Sequence, residues 1–100
     1  MKTIPNKSVR FEGSDKDTTY ADLLRVCLRN VPQGGFDPET MRKRMRALDQ
    51  IDASEKNKEE RISLEDADHA EVVACVNVMK WGILDKAILG FIDCVNSREN

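Results

Sequence analysis

The first two side chains that could carry out chemistry in this chain are one carboxylate and one imidazole. Asp66 precedes His69, the only histidine, by three residues, and on a helix this spacing puts the two groups side by side. A carboxylate metal site needs a second such pair and more inward-facing glutamates, and the sequence has no second histidine. The pair is more typical of a helix-surface histidine that interacts with its neighbours, so we expect no metal and no other cofactor.

The three cysteines show no catalytic or metal-binding spacing. Cys27, Cys75 and Cys94 are far apart, contain no C-x-x-C pair and fall on apolar positions of predicted helices. A catalytic thiol would need an activating base, which only His69 can supply. The sequence also lacks G-x-S-x-G, a glycine-rich phosphate loop and H-E-x-x-H. We therefore expect free thiols in a reducing compartment and no enzyme activity.

A basic cluster on the predicted helix at residues 38–51 is the most specific surface feature. Arg42, Lys43 and Arg46 lie on its outer face, whereas Arg44 falls on the apolar stripe and should be partly covered. A Pro/Gly turn joins this helix to the preceding one, which resembles a helix-turn-helix. Arg42, Lys43 and Arg46 are therefore candidate contacts to DNA phosphates or guanine edges, or to a protein.

Other features of the same helix argue against DNA. Glu39 and Asp49 flank the cluster, the turn before the helix is long, and few polar side chains lie on the outer face to read bases. The basic side chains would then pair within the helix, as Glu39 with Lys43, or with the acidic start of the next helix. We favour these internal pairs or a protein partner.

The acidic start of the next predicted helix is the counterpart of the basic cluster. Glu65, Asp66 and Asp68 are the candidates for an acidic partner patch, which suits either an internal bridge or self-association in which basic meets acidic. Trp81, the only tryptophan, is a candidate hydrophobic anchor for a partner. Its alternative role is the lid of the core.

The length, net charge and composition of the chain limit the class of protein. The chain has 100 residues, a net charge of -2 and 40% hydrophobic residues, as expected for a single folded domain at residues 1–100. The acidic balance argues against bulk nucleic acid as the main partner. No apolar signal segment follows Met1, and the longest apolar run falls short of a membrane span. We therefore expect a cytoplasmic protein without a membrane partner.

The elements that position these candidates are centred on residues 62–82. Ser63 is the predicted N-cap of a central helix, and residues 70–79 are apolar on nearly all sides, so the other helices should bury it all round. Thr19, Asp37 and Asp85 are the predicted caps of helices at residues 20–30, 38–51 and 86–95. The buried stripe predicted for the helix at residues 38–51 consists of Met41, Met45, Leu48 and Ile51.

These elements predict a mainly α fold, a compact four-helix domain. Alternating apolar residues also allow a short two-stranded β ribbon between residues 8–12 and 61–64. Residues 1–7 and 96–100 are expected to be loose ends, and residues 52–60 a polar loop or a frayed extension of the preceding helix.

Two segments carry a resemblance to known proteins. GGFDPETMRKRMRALDQI, followed after a charged gap by ISLEDADHAEVVACVNVMKWGILDKAILGFIDCV, resembles small helical accessory proteins encoded by bacteriophages and prophages. The resemblance covers residues 34–95 and implies a phage setting and the host cytoplasm. It implies no catalytic or binding residue.

The sequence thus favours a non-enzymatic protein–protein interaction module of phage type. It would be an assembly component, or a regulator or inhibitor of a host protein, and self-association into an oligomer is one form of this hypothesis. The alternative is a DNA-binding regulator that uses the helix at residues 38–51.

Overall fold

Four helices and four short strands form residues 1–97, the part of the chain that this computed structural model describes. They are, in chain order, β1 (Lys2–Pro5), β2 (Ser8–Val9), β3 (Thr18–Thr19), α1 (Tyr20–Arg29), α2 (Pro38–Lys56), β4 (Arg61–Leu64), α3 (Asp66–Val78) and α4 (Lys86–Val95). The strands form two antiparallel two-stranded sheets, β1 with β4 and β2 with β3. The fold is mixed α/β, and the predicted mainly α four-helix domain is wrong.

The predicted ribbon between residues 8–12 and 61–64 has the wrong pairing. β4 pairs with β1, and Ile4 lies opposite Ile62. Both isoleucines are fully buried, so burial holds the first residues of the chain against β4 and residues 1–7 are not a loose end. Pro5 is tolerated because it is the last residue of a strand that has only one neighbour.

The helix starts agree with the sequence at three of the four helices. A side-chain oxygen of each predicted cap accepts a hydrogen bond from a backbone N–H in the first turn, which would otherwise lack a partner. The bonds are Thr19 to Asp22 (3.2 Å), Asp37 to Thr40 (2.7 Å) and Asp85 to Ala87 (2.8 Å).

The fourth helix, α3, begins later than predicted. Ser63 lies in β4, where its N–H donates to Ser54 Oγ at 3.1 Å, and Glu65 is the N-cap. The other three helices all contact α3, as predicted. One side of α3 nevertheless faces solvent, and it includes Ala70, Ala74 and Val78. The expectation that α3 is buried all round is therefore wrong.

α2 is longer than predicted and takes up most of the expected polar loop at residues 52–60. Its last turns hold α1: Arg25 pairs with Asp52 at 2.7 Å and with Glu55. At the other end of the chain, Asn96 caps α4 and exchanges two side-chain hydrogen bonds with Asn77, at 2.9 and 3.0 Å. The rest of the expected loose end, residues 98–100, lies outside the described residues.

The core lies where α1, α3 and α4 meet the β1–β4 sheet and the middle of α2. Its largest fully buried apolar side chains are Ile4, Leu24, Leu28, Ile51, Ile62, Leu64, Val72, Val76, Phe91 and Val95. The first turns of α2 extend beyond this core, and the candidate site lies there.

Candidate functional site

The loop and cap before α2 orient its first turns. Gly34 and Gly35 have φ of 86° and 89°, a left-handed conformation that suits glycine and turns the chain from α1 toward α2. Pro38 then occupies the start of the helix. The hydrogen bond from the Thr40 backbone N–H lowers the pKa of the Asp37 carboxyl. The cap is therefore ionised at neutral pH, and its negative charge interacts favourably with the positive end of the helix dipole.

Arg44 is covered and fully engaged, as its place on the apolar stripe predicts. Its side chain is 12% exposed. Nη1 donates to the carbonyl oxygens of Leu28 (3.1 Å) and Asn30 (2.8 Å), at the C-terminal end of α1, and Nε lies 3.4 Å from Glu71 Oε2 on α3. The guanidinium carbon is 5.2 Å from the centre of the Phe36 ring, a cation–π distance. Arg44 therefore joins α1, α2 and α3.

Arg46 and Asp68, two candidate site residues of opposite charge, bind each other. Arg46 Nε donates to Asp68 Oδ1 at 2.8 Å, and the Asp68 side chain is 2% exposed. Gln50 Nε2 donates to Asp68 Oδ2 at 2.6 Å, while Gln50 Oε1 accepts from the Glu65 N–H at 2.9 Å. This network connects α2 to the first turn of α3, and it is the internal bridge that the sequence left open as an alternative.

Arg42 and Lys43 remain on the outer face of α2. Lys43 Nζ lies 3.4 Å from Glu39 Oε1, one turn earlier, and both side chains are exposed. Arg42 is exposed and, within residues 1–97, takes part in no ion pair and no hydrogen bond from its side chain. Of the three predicted basic contact residues, Arg42 is thus the most available to a partner.

An apolar hollow lies between the C-terminal end of α1 and the first turns of α2. We call it the α1–α2 groove; its volume is about 360 Å³, and it is lined by Leu28, Arg29, Phe36, Met41, Arg44, Met45 and Leu48. Met41 and Met45 are 50% and 51% exposed, so their prediction as buried residues is wrong. The reason is length: α1 has 10 residues and α2 has 19, so α1 cannot cover the whole stripe.

A second, smaller hollow extends this apolar surface across α2. Its volume is about 280 Å³, and Pro38, Met41, Arg42 and Met45 line it. Because both hollows share the two methionines, the apolar surface runs from α1 across α2 to Arg42.

The three acidic candidates do not form one exposed patch. Glu65 is exposed at the N-cap of α3. Asp66 is exposed as well, and its Oδ1 lies 3.3 Å from the amino group of Met1. Asp68 is buried against Arg46 and Gln50. Only Glu65 and Asp66 can therefore meet a partner without unfolding of this region.

Trp81, the candidate anchor, packs against the edge of the core. Its ring is half-buried, 6.0 Å from the ring of Phe91 and nearly perpendicular to it. Its Nε1 is buried without a hydrogen-bond acceptor among residues 1–97. These contacts agree with the lid of the core, the alternative role stated for this residue.

His69 is buried on α3, contrary to the helix-surface position expected from the sequence. It is 8% exposed, and its Nε2 has no hydrogen-bond partner within residues 1–97. Burial, and then the positive charge of Lys2, lower the pKa of the imidazole, while Asp66 partly opposes them. Over the same residues, no three His, Cys, Asp or Glu side chains cluster as metal ligands do.

The three cysteines are free thiols, as predicted. Cys27 and Cys75 are buried and Cys94 is half-buried. Burial raises the pKa of Cys75 to about 11, so its thiol is protonated and unreactive at neutral pH. Cys75 therefore acts as a small core residue.

The groove itself is the feature that sequence reasoning missed. The sequence predicts Met41 and Met45 as part of the buried stripe of the helix at residues 38–51, and a covered stripe leaves no groove. The available signal was the set of three apolar side chains, Phe36, Met41 and Met45, just after the loop that contains Gly34 and Gly35. This loop ends the part of α2 that α1 covers.

Comparisons with known proteins add no information about this site. No family model, curated protein or solved structure matches the chain. Across residues 1–97, none of the helices has both the length and the apolar character that crossing a bilayer requires.

Proposed function

We propose that this chain is a non-enzymatic protein–protein interaction module whose partner docks in the α1–α2 groove. The observation that supports this proposal is the pair of half-exposed methionines, Met41 and Met45, on an apolar surface that ends at Arg42, which has no side-chain partner within residues 1–97. Methionine adapts its shape to an incoming side chain and is common on protein-binding surfaces, and contiguous exposed apolar patches mark such surfaces.

A protein partner is favoured over DNA because the basic cluster is largely used inside the protein. Arg44 binds α1 and α3, and Arg46 binds the buried carboxylate of Asp68. DNA-binding surfaces gain their affinity from several basic side chains that meet phosphates together. A DNA-binding regulator that uses residues 38–51 is thus the weaker proposal. A mobility shift at low salt that Arg42→Glu abolishes would favour it.

The setting that we propose is the cytoplasm, and the host cytoplasm if the chain is phage-encoded. The free thiols of Cys27, Cys75 and Cys94 are consistent with a reducing compartment. The resemblance to phage accessory proteins makes an assembly component, or a regulator of a host protein, the biological form of the proposal.

The proposal is tested by affinity capture with a matched pair of variants. The groove variant is Met41→Ser with Met45→Ser, and the control is Leu89→Ser on α4, where the side chain is 62% exposed and lies outside the groove. Because all three side chains are at least half exposed, both variants should fold, which circular dichroism checks. Capture from bacterial and phage-infected lysates, with mass spectrometry, identifies the partner.

The expected result is a partner that the parent and Leu89→Ser retain and the groove variant loses. A partner retained equally by all three would place the docking surface elsewhere. Charge reversal at Arg46 is unsuitable as a test because it would leave Asp68 buried without its counter-charge.

A further inference from the structure

The walls of the α1–α2 groove offer side chains rather than backbone groups. Six of the seven lining residues lie in α1 or α2, where interior N–H and C=O groups are bonded along the helix axis. At the start of α2, Asp37 accepts from the Thr40 N–H. Arg44 already uses the carbonyls of Leu28 and Asn30 at the end of α1. An extended peptide needs a free sheet edge to add a strand, whereas a helix docks through side chains alone. The groove therefore suits a helix.

The two adjoining hollows can receive successive apolar anchors. The larger has a volume of about 360 Å³ and the smaller about 280 Å³, and Met41 and Met45 stand between them. A helix that crosses α2 here can insert residues spaced three or four apart, one into each hollow.

The rim of this surface is positively charged. Arg29 lies on the α1 side and Arg42 beyond the methionines on α2. Neither side chain has an ion-pair or hydrogen-bond partner within residues 1–97. The nearby carboxylates are occupied, since Asp37 caps α2 and Glu39 pairs with Lys43. Arg29 and Arg42, which have no side-chain partner among residues 1–97 and lie on opposite sides, favour carboxylates on both flanks of the incoming helix.

A second copy of this chain is the less suitable occupant. Its large exposed apolar side chains away from the groove include Leu84 and Leu89. The charged residues near them in the chain are Lys80, Asp85, Lys86 and Asp93, so this surface lacks the excess of carboxylates that the arginines of the rim favour. The acidic start of α3 offers only small exposed side chains, such as Ala67 and Ala70.

We propose that the occupant of the α1–α2 groove is an amphipathic helix of another protein, with an apolar stripe flanked by acidic residues. This inference rests on the proposed function and adds the chemistry of the partner to it. Arg29 and Arg42 select the charge, and Met41 and Met45 accept the stripe.

Fluorescence anisotropy with synthetic helices tests the partner chemistry. The probe is a labelled peptide of about 16 residues, long enough to form a helix on the surface, with leucines at helical spacing and glutamates on both flanks. The matched probes replace the glutamates by lysines, or place a proline at the centre to break the helix. The full chain is compared with Arg42→Glu and with Lys80→Glu, an exposed charge reversal outside the groove.

The acidic helix should bind at least about tenfold more tightly than the lysine helix, and the proline probe should not bind. Arg42→Glu should weaken the acidic helix about tenfold and Lys80→Glu should not. Equal binding of acidic and basic helices, preference for the proline probe, or no binding of any probe overturns the inference. So does sedimentation that shows a dimer dissociated by Arg42→Glu, because a second copy is then the occupant.

These failures are distinguishable from failure of the proposed function. A groove-dependent partner in the affinity capture supports the proposed function whatever the anisotropy shows. If that partner presents a basic or extended segment, the proposed function stands and the acidic-helix inference is wrong.

Discussion

α2 carries two kinds of arginine, which differ in what surrounds them. Arg44 and Arg46 lie on different sides of the helix, and they donate to Leu28, Asn30, Glu71 and Asp68. Arg42, beside the α1–α2 groove, has no side-chain partner within residues 1–97. We call Arg44 and Arg46 the paired arginines and Arg42 the open arginine. The comparison teaches that neighbouring residues of the same charge on one helix can have opposite roles, cohesion and recognition.

The paired arginines should therefore govern stability and the open arginine should govern binding. Substitutions of the paired arginines remove bonds that exist in the isolated protein. Substitution of the open arginine removes no side-chain bond within residues 1–97. The following changes test this division, from the largest expected effect on stability to the smallest.

Arg44→Ala should be the most destabilising of these changes. It removes hydrogen bonds to two carbonyls at the end of α1, the ion pair with the half-buried Glu71, and the contact with Phe36. We expect the free energy of unfolding to fall by about 3 kcal/mol, since a buried charge and two acceptors lose their partner. Urea denaturation measures it. A loss no larger than that of Arg42→Ala would remove the distinction between the paired and the open arginines.

Arg46→Ala should cost less, about 1–2 kcal/mol, because Asp68 keeps its bond from Gln50 and water can replace the lost side chain. The partner substitution, Asp68→Asn, keeps the shape and removes the charge. In a double-mutant cycle monitored by urea denaturation, the two changes together should cost less than their sum. Strict additivity would show that the contact between Arg46 and Asp68 contributes nothing to stability.

Much of this division is predictable from local signals in the sequence. Thr19, Asp37 and Asp85 cap their helices through neighbours within three residues, and the position of Arg44 on the apolar stripe predicted its cover. These features depend on short-range geometry, which the period of a helix determines.

Features that depend on distant parts of the chain were not predictable in the same way. Residues 8–12 and residues 2–5 both offer a plausible partner for β4, and only packing selects the second, through Ile4. Met41 and Met45 lie on an apolar stripe, but whether α1 reaches them depends on where α1 ends. The fold class and the groove were missed because both depend on contacts between distant parts of the chain.

His69, one residue after Asp68 on α3, is buried with an Nε2 that has no hydrogen-bond partner within residues 1–97. Its folded-state pKa is depressed by burial and by Lys2, so the unfolded chain, with an ordinary value near 6.5, binds more protons. Its contribution to stability is therefore complete above about pH 6.5 and is lost as pH falls through the lower folded-state value. Urea midpoints should drop between pH 7.5 and 5.5, by less than Arg46→Ala causes. His69→Gln should flatten this drop; an unchanged pH profile would show that other groups cause it.

Arg42→Ala should have the smallest effect on stability, within about 0.5 kcal/mol of the parent, because its exposed side chain bonds to nothing within residues 1–97. The same change should weaken binding of the captured partner. The difference in affinity from the parent should shrink as salt is added, since the lost interaction is an exposed charge pair. Arg42→Lys, which keeps the charge, should restore most of the binding. Urea midpoints and salt-dependent anisotropy measure the two effects on one set of samples. If Arg42→Ala destabilised the fold as much as Arg46→Ala while leaving binding intact, Arg42 would be part of the scaffold, and the division between paired and open arginines would be wrong.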